Sequence, residues 1–312
     1  MADSILLIGD VIIDEYTYGR KLGISAETPT VVGEFLKKES FVGGCGLVAR
    51  NLLRLGCQVT MMSTGPSIVD RMLLSSDPPS YPELERFQYV GLGGGRWRHT
   101  EKKRYFVDSY KMLQYDVLDR IVWDDRDVSS IMSDIFSALS KRPDSVVISD
   151  NRHGCLNKEI ACGLISLCQS MGIPVYVDSQ VSQSRSNHSW YSGAGNFVIN
   201  SVERDEILEE MGQQSAQDLY DEDTGISVLK YLGCERLYVK LGARGSVMFR
   251  AGAGTMEISS QPPPKEVVDV CGAGDAYLAA LVASRGDQFF ANRWAGMSVC
   301  LPGTRVPSIG VL

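Results

Sequence analysis

The sequence predicts a doubly wound α/β fold: a mostly parallel sheet flanked by helices on both faces, with a small β-sheet lid. Two observations carry this. Short apolar runs of strand length alternate with amphipathic stretches of helix length, the signature of strand–helix–strand crossovers. Two further stretches, residues 12–40 and 97–118, alternate like strands and contain no helix of their own.

Taken in order, the first strand is Ile5–Ile8, reached from the N-terminus without the basic region or cleavage site of a signal peptide. Residues 12–40 and 97–118 either pair into a small sheet standing off the main domain as a lid, which is the favoured reading, or form two edge hairpins. Val42-Gly43-Gly44-Cys45-Gly46 precedes a helix over Leu47–Leu55, which Gly56 ends. A strand at Val59–Met62 follows. Gly91-Leu92-Gly93-Gly94-Gly95 lacks the strand–turn–helix context of a dinucleotide fingerprint, because 96–105 reads as extended chain. Next come a helix at Val128–Leu139, a strand at Val146–Ile148, a helix at Asn157–Met171 and strands at Val175–Val177 and Phe197–Ile199. The helix Val202–Met211 and the strand Leu237–Val239 continue the alternation. Glu266–Asp269 reads as a short strand or extended arm, and a helix over Ala276–Ser284 has Gly286 as its stop signal. The whole is expected to be one domain, residues 1–312.

With 312 residues the chain can bury a substantial core. Its net charge of −7 and lack of a long Lys/Arg run argue against nucleic acid as a partner. No apolar run reaches the ~18 residues that a membrane span needs. The eight cysteines are scattered without a CxxC pair, which suits reduced thiols of a cytoplasmic protein. A local basic stretch, Arg96–His99 followed by Lys102, Lys103 and Arg104, suits either a small phosphorylated ligand or a solvated strand face. His153 and His188 read as loop residues.

Four places carry chemistry. In Asp269-Val270-Cys271-Gly272-Ala273-Gly274-Asp275, the glycines let the backbone turn tightly and approach a ligand. The N–H groups at the start of the following helix make an anion site. A buried helix packed closely at its start would explain the same glycines, and Asp275 would then be only a cap. Gly43 and Gly44 form a second cluster far away in sequence. Asn200-Ser201-Val202-Glu203 places an amide and a carboxylate three residues apart at a strand's carboxyl end, where oxygen ligands or water partners of Mg2+ are useful. Lys240-Leu241-Gly242-Ala243-Arg244-Gly245 ends another strand with two basic side chains that can meet phosphates.

In this order these residues, with Gly9-Asp10, resemble the ribokinase-like (phosphofructokinase-B type) carbohydrate kinases over nearly the whole chain. Gly9–Asp14, Tyr16–Gly19, Ile24–Pro29 and Thr100–Arg104 are similar to the D-glycero-D-manno-heptose 7-phosphate kinase module within that family. The resemblance implies ATP-dependent phosphorylation of the 1-hydroxyl of that heptose phosphate, with Asp275 as general base. The N–H groups of Gly272, Ala273 and Gly274 would hold the transferred phosphoryl group. Asp10 and Asp14 would bind sugar hydroxyls, with Gly43 and Gly44 letting the sugar lie against backbone, and Lys102 and Arg104 are candidates for a substrate phosphate. Asn200, Lys240, Gly242 and Gly245 would border the nucleotide and Gly303 its adenine end. Asn200 and Glu203 would hold Mg2+ through water, and Asp269 would serve a monovalent cation, K+. A homodimer through the lid is implied by analogy.

The departures lie on the sugar and phosphate side. Leu47 stands where the family has a sugar-binding asparagine. Asp150-Asn151-Arg152-His153-Gly154 replaces Asp-Tyr-x-Lys-Gly, Asp178-Ser179-Gln180 replaces Asp-Pro-Lys, and Gln114 replaces an arginine. They leave three readings open: the heptose phosphate, a different acceptor such as a ketose, nucleoside or modified heptose, and a non-catalytic binding protein on the same scaffold.

Overall fold

The computed structural model describes residues 2–181, 185–213, 221–252 and 255–308. Its strands are β1 (Ser4–Gly9), β2 (Val11–Ile24), β3 (Val31–Gly44), β4 (Gln58–Thr64), β5 (Phe87–Leu92), β6 (Thr100–Val107) and β7 (Tyr110–Val117). They continue with β8 (Ser145–Asp150), β9 (Val175–Ser179), β10 (Asn196–Asn200), β11 (Arg236–Lys240), β12 (Ser246–Arg250) and β13 (Thr255–Ser259). The helices are α1 (Cys45–Arg54), the short α2 (Val69–Leu73) and α3 (Tyr81–Leu84), α4 (Asp125–Ser140) and α5 (Lys158–Met171). After them come α6 (Ser201–Glu210), α7 (Glu222–Leu232), α8 (Ala273–Ala283) and α9 (Gln288–Ser298).

Among the described residues, nine strands form the main sheet in the order β13-β12-β11-β10-β9-β8-β1-β4-β5. From β11 to β5 every neighbouring pair is parallel, and β12 and β13 add an antiparallel edge hairpin. Period-2 alternation splits each strand between two cores. Leu6, Ile8, Val146, Ile148, Phe197 and Ile199 pack with α4–α7. Ile5, Leu7, Val147 and Val198 pack on the other face with α1, α8 and α9, where Trp294 Nε1 donates to Asn51 Oδ1 at 2.7 Å. No helix among the described residues is long and apolar enough to cross a membrane.

The two β-rich stretches pair with each other as a separate four-stranded sheet, β3-β2-β6-β7, and not as edge hairpins of the main one. Both β2 and β3 run 14 residues, and their inner ends reach the carboxyl edge of β1. The Gly43–Gly44 cluster therefore closes a strand, with α1 starting at Cys45, two residues before the expected Leu47. Helix α8 likewise starts at Ala273 rather than Ala276. Residues 266–269 form an extended arm without strand pairing, pinned where the N–H groups of Val268 and Asp269 donate to the Val299 carbonyl (2.8 and 3.1 Å).

The carboxyl edge is tied together by a buried carboxylate. Asp150, ending β8, accepts from the Arg152 N–H (2.9 Å), Ser179 Oγ (3.0 Å), Asn187 Nδ2 (2.8 Å) and Tyr191 OH (2.7 Å). Removing it would strand those donors in a dry interior, where each unmet group costs about 1–3 kcal/mol. Asp150→Ala is therefore expected to destabilise the fold by on the order of 3 kcal/mol or more. An unchanged urea-unfolding midpoint would refute this.

Candidate active site

The carboxyl ends of parallel strands, where strand carbonyls and helix starts meet, are where such sheets bind ligands. Here a cavity of about 530 Å3 lies between the ends of β9–β11 and the start of α8. Its walls include Asp178, Gln180, Asn200, Glu203, Lys240 and the Gly272–Asp275 turn. A cavity of about 570 Å3 opens at the opposite end of the sheet beside Asp144, Asn196 and Arg236. It has no glycine-rich turn at a helix start, and the chemistry points to the first.

The turn is built by backbone necessity. Gly272 has φ 78°, and a Cβ there would collide with the Leu47 side chain. Helix α8 has no side-chain cap. Its N–H groups at Gly274 and Asp275 have no helical carbonyl to bond and face an anion's position. The Ala273 N–H lies 3.3 Å from the Val270 carbonyl, which leaves those of Gly274 and Asp275 open at the helix start. The Lys240 ammonium stands beside this turn. It lies 3.4 Å from where a Gly274 Cβ would be, and 2.5 Å from Asp178 Oδ2.

Burial, then the charge of Asp178, pushes the Asp275 carboxyl up to about 8, and Lys240 only partly offsets this. Burial likewise raises Glu203 to about 7. Asn200 and Glu203 satisfy each other. Asn200 Oδ1 accepts the Glu203 N–H (2.9 Å), while Glu203 accepts the Asn200 N–H and Nδ2 (both 2.7 Å). This is a capping box at the start of α6. No cluster of three His, Cys, Asp or Glu side chains that could hold a metal exists among the described residues. The oxygens of Asp178, Glu203 and Asp275 on one cavity suit a hard, hydrated cation held through water, and not a closed protein cage.

The expected sugar-side residues gather under the second sheet. Asp10 is buried, and its oxygens accept from the His153 (3.2 Å) and Cys155 (2.9 Å) N–H groups, tying β1 to the loop after β8. Burial first, then Asp150, raises its pKa to about 7. Asp14 pairs with Arg104 at 2.5 Å, and Arg104 Nε donates to Gln114 Oε1 at 3.2 Å, so the substituted glutamine still partners the cation. Lys102 stands opposite Asp14 in the β2–β6 register. Burial, followed by the charge of Lys102, lowers His153 to about 4, so its imidazole is neutral at pH 7.

Two expected residues sit elsewhere. Gly303 is not in the wall of the nucleotide-side cavity. A Cβ there would stand 2.8 Å from the Phe41 ring of β3, and its N–H donates to Asp269 Oδ2 at 3.1 Å. Asp269 Oδ1 accepts the Cys271 N–H at 2.9 Å, so this carboxylate clamps the anion turn to the 303 loop. Asp178, in the cavity wall, was missed as a site residue. A carboxylate ending an apolar strand is the signal that would have found Asp178.

Residues 138–307 match the model of the pfkB family carbohydrate kinases. The chain is 30% identical over 323 residues to the bifunctional protein HldE of Caulobacter vibrioides, covering 97% of this chain and 61% of that protein. It is 29% identical to the HldE protein of Syntrophotalea carbinolica, covering 88% and 53%. It therefore spans between half and two thirds of the length of these relatives. In structure it is similar to phosphofructokinase-2 from Escherichia coli in complex with potassium (TM-score 0.73, 17% identity, 99% of this chain and 96% of that one). It is also similar to Arabidopsis thaliana ribokinase complexed with ribose and ATP (TM-score 0.68, 17% identity, 99% and 96%).

The raised Asp275 pKa has a stability consequence. The unfolded carboxyl ionises near 3.9 and the folded one near 8, so between these values the native state holds a proton that the unfolded state has lost. Its contribution is full below pH 4 and disappears as pH rises to 8. The melting temperature of Asp275→Asn minus that of the wild type is expected to grow from pH 4 to 8 and level off above. A difference independent of pH would contradict the assignment.

Proposed function

The chain belongs to the pfkB family of carbohydrate kinases, and on that premise we propose that it transfers the γ-phosphoryl group of ATP to a hydroxyl of a sugar phosphate. The leading acceptor is D-glycero-D-manno-heptose 7-phosphate, at its 1-hydroxyl. The observation that carries this is the meeting, in one cavity, of Asp275, the open N–H groups of Gly274 and Asp275, and the Lys240 ammonium.

In this reading the acceptor hydroxyl lies beside Asp275, which takes its proton as the oxygen attacks phosphorus and ADP leaves. Because the Asp275 carboxyl is raised to about 8, the ionised form that accepts the proton grows as pH rises toward that value. The helix-start N–H groups and Lys240 face the charge spread over the transferred oxygens. Mg2+, when bound, would neutralise phosphate charge, and Asp178, Asn200 and Glu203 are the side chains that would hold its waters. Asp269 accepts the Cys271 and Gly303 N–H groups and so positions the turn, and a monovalent cation, K+, held beside it would act through that same turn.

A second reading, a different acceptor for the same chemistry, is favoured by Leu47 and Gln180. Leu47 is buried against the turn and presents no polar group. A self-paired dimer through the lid sheet is also proposed. Leu22, Ile24, Phe35, Leu36, Tyr110 and Leu113 are all more than half exposed there, on a sheet whose β3 and β7 edges have no neighbouring strand among the described residues.

Asp275→Asn is expected to lower kcat by about 10²–10⁴ with the KM for ATP little changed, and unchanged turnover would overturn the base. Phosphate-transfer assays across heptose 7-phosphate, ketose phosphates and nucleosides decide the acceptor. Phe35→Glu is expected to shift the protein from dimer to monomer in sedimentation. A wild type that is already monomeric would remove the dimer proposal.

A further inference from the structure

We infer that Asp178 is a positioning residue for phosphoryl transfer: from β9 it holds the Lys240 ammonium of β11 against the anion turn. This rests on the kinase reading above. Three observations carry it.

The first is where the two side chains meet. Lys240 ends β11, with its backbone fixed between Asn200 of β10 and Ser246 of β12. Its charge, however, rides on a flexible four-carbon stem and settles only where a partner holds it. Asp178 Oδ2 accepts from Lys240 Nζ at 2.5 Å, across the end of the intervening strand β10. In that position the ammonium lies 3.4 Å from where a Gly274 Cβ would be, beside the open N–H groups at the start of α8.

The second is that the same cavity offers Lys240 another carboxylate with which it does not pair. Glu203 is in the wall, but its two oxygens already accept the Asn200 N–H and Nδ2, both at 2.7 Å. Among the described residues, Asp178 is the one carboxylate within ion-pair distance of Lys240. The capping box of α6 thus keeps Glu203 from drawing the ammonium off the turn.

The third is the rigidity behind Asp178, which is itself buried. The residues that follow it are fastened to β8: Ser179 Oγ donates to Asp150 Oδ2 at 3.0 Å, and the Gln180 N–H donates to the Asp150 carbonyl at 2.9 Å. A carboxylate on a strand end fixed in this way can aim a cation as closely as stabilising a transferred phosphoryl group requires. The pair uses Oδ2 alone, which leaves Oδ1 for a water of Mg2+.

A double-mutant cycle separates this role from a direct one. The assays use ATP and whichever sugar phosphate the wild type turns over. Asp178→Asn is expected to lower kcat by about 10–10²-fold with the KM for ATP little changed. Lys240→Met is expected to lower kcat by about 10²–10³-fold. Asp178→Asn added to Lys240→Met is then expected to cost nothing more, because the carboxylate acts through the lysine. Asp178→Glu, which keeps the charge, is expected to retain more turnover than Asp178→Asn. The second readout is the Lys240 ammonium itself, followed by 15N NMR and identified by its loss in Lys240→Met. Its protons are expected to exchange slowly with water in the wild type and fast in Asp178→Asn. An Asp178→Asn loss that persists in full on the Lys240→Met background overturns the inference, as does an ammonium that exchanges equally fast in both proteins. A wild type that transfers no phosphate overturns the kinase reading, and the ammonium's exchange then decides by itself whether Asp178 holds Lys240.

Discussion

Everything at the carboxyl edge of the sheet answers to one electrostatic constraint: Asp178, Glu203 and Asp275 share a cavity with Lys240. Burial works against the lysine's charge, and Asp178 followed by Glu203 more than offsets it, so its pKa ends above the usual value. Lys240 only partly offsets the burial that raises the Glu203 and Asp275 carboxyls. Both carboxyls therefore hold protons more readily than free ones do, beside a helix start with its partial positive charge. Such a site is strained toward binding something cationic together with something anionic, and nucleotide with its metal answers both demands.

That constraint explains why small residues surround the site. Gly274 must lack a side chain for the Lys240 ammonium to lie against the turn. Gly272 must lack one because Leu47 closes the turn from behind, with Thr304 Cγ2 3.3 Å from the same Cβ position. Asp269 then links the turn to Gly303, which leans on Phe41 of β3. Phe41 pairs with Asp14 in the β2–β3 register. The anion turn and the second sheet are therefore in mechanical contact through a short chain of neighbours, so a shift of the sheet over a sugar would be felt at the turn.

The main sheet was legible because its strands are buried on both faces and read as plain apolar runs. The second sheet was legible from alternation without helices. The starts of α1 and α8 were not, because both helices open on glycine or a residue without a capping side chain, and start signals rely on caps. The β12–β13 hairpin went unnamed, since two five-residue strands carry little periodicity. The spacing of three between Asn200 and Glu203 is also that of a capping box, which these two residues form at the start of α6. Asp178 meets Lys240 from another strand, and no local spacing could reveal that partnership.

The same cross-strand logic recasts the departures from the family pattern. Read along the chain, Leu47, Gln180 and Gln114 look like losses of polar or charged contacts. In space, Gln180 lines the cavity that Lys240 supplies with a cation from two strands away. Gln114 accepts from Arg104, which remains on the sheet to serve an anion. Leu47 is buried and packs against the Gly272 position of the turn. Charge and hydrogen-bonding capacity have been redistributed among elements around an unchanged turn. The residues around the anion turn, more than the turn itself, are thus where this chain differs from the pattern that its resemblance implies.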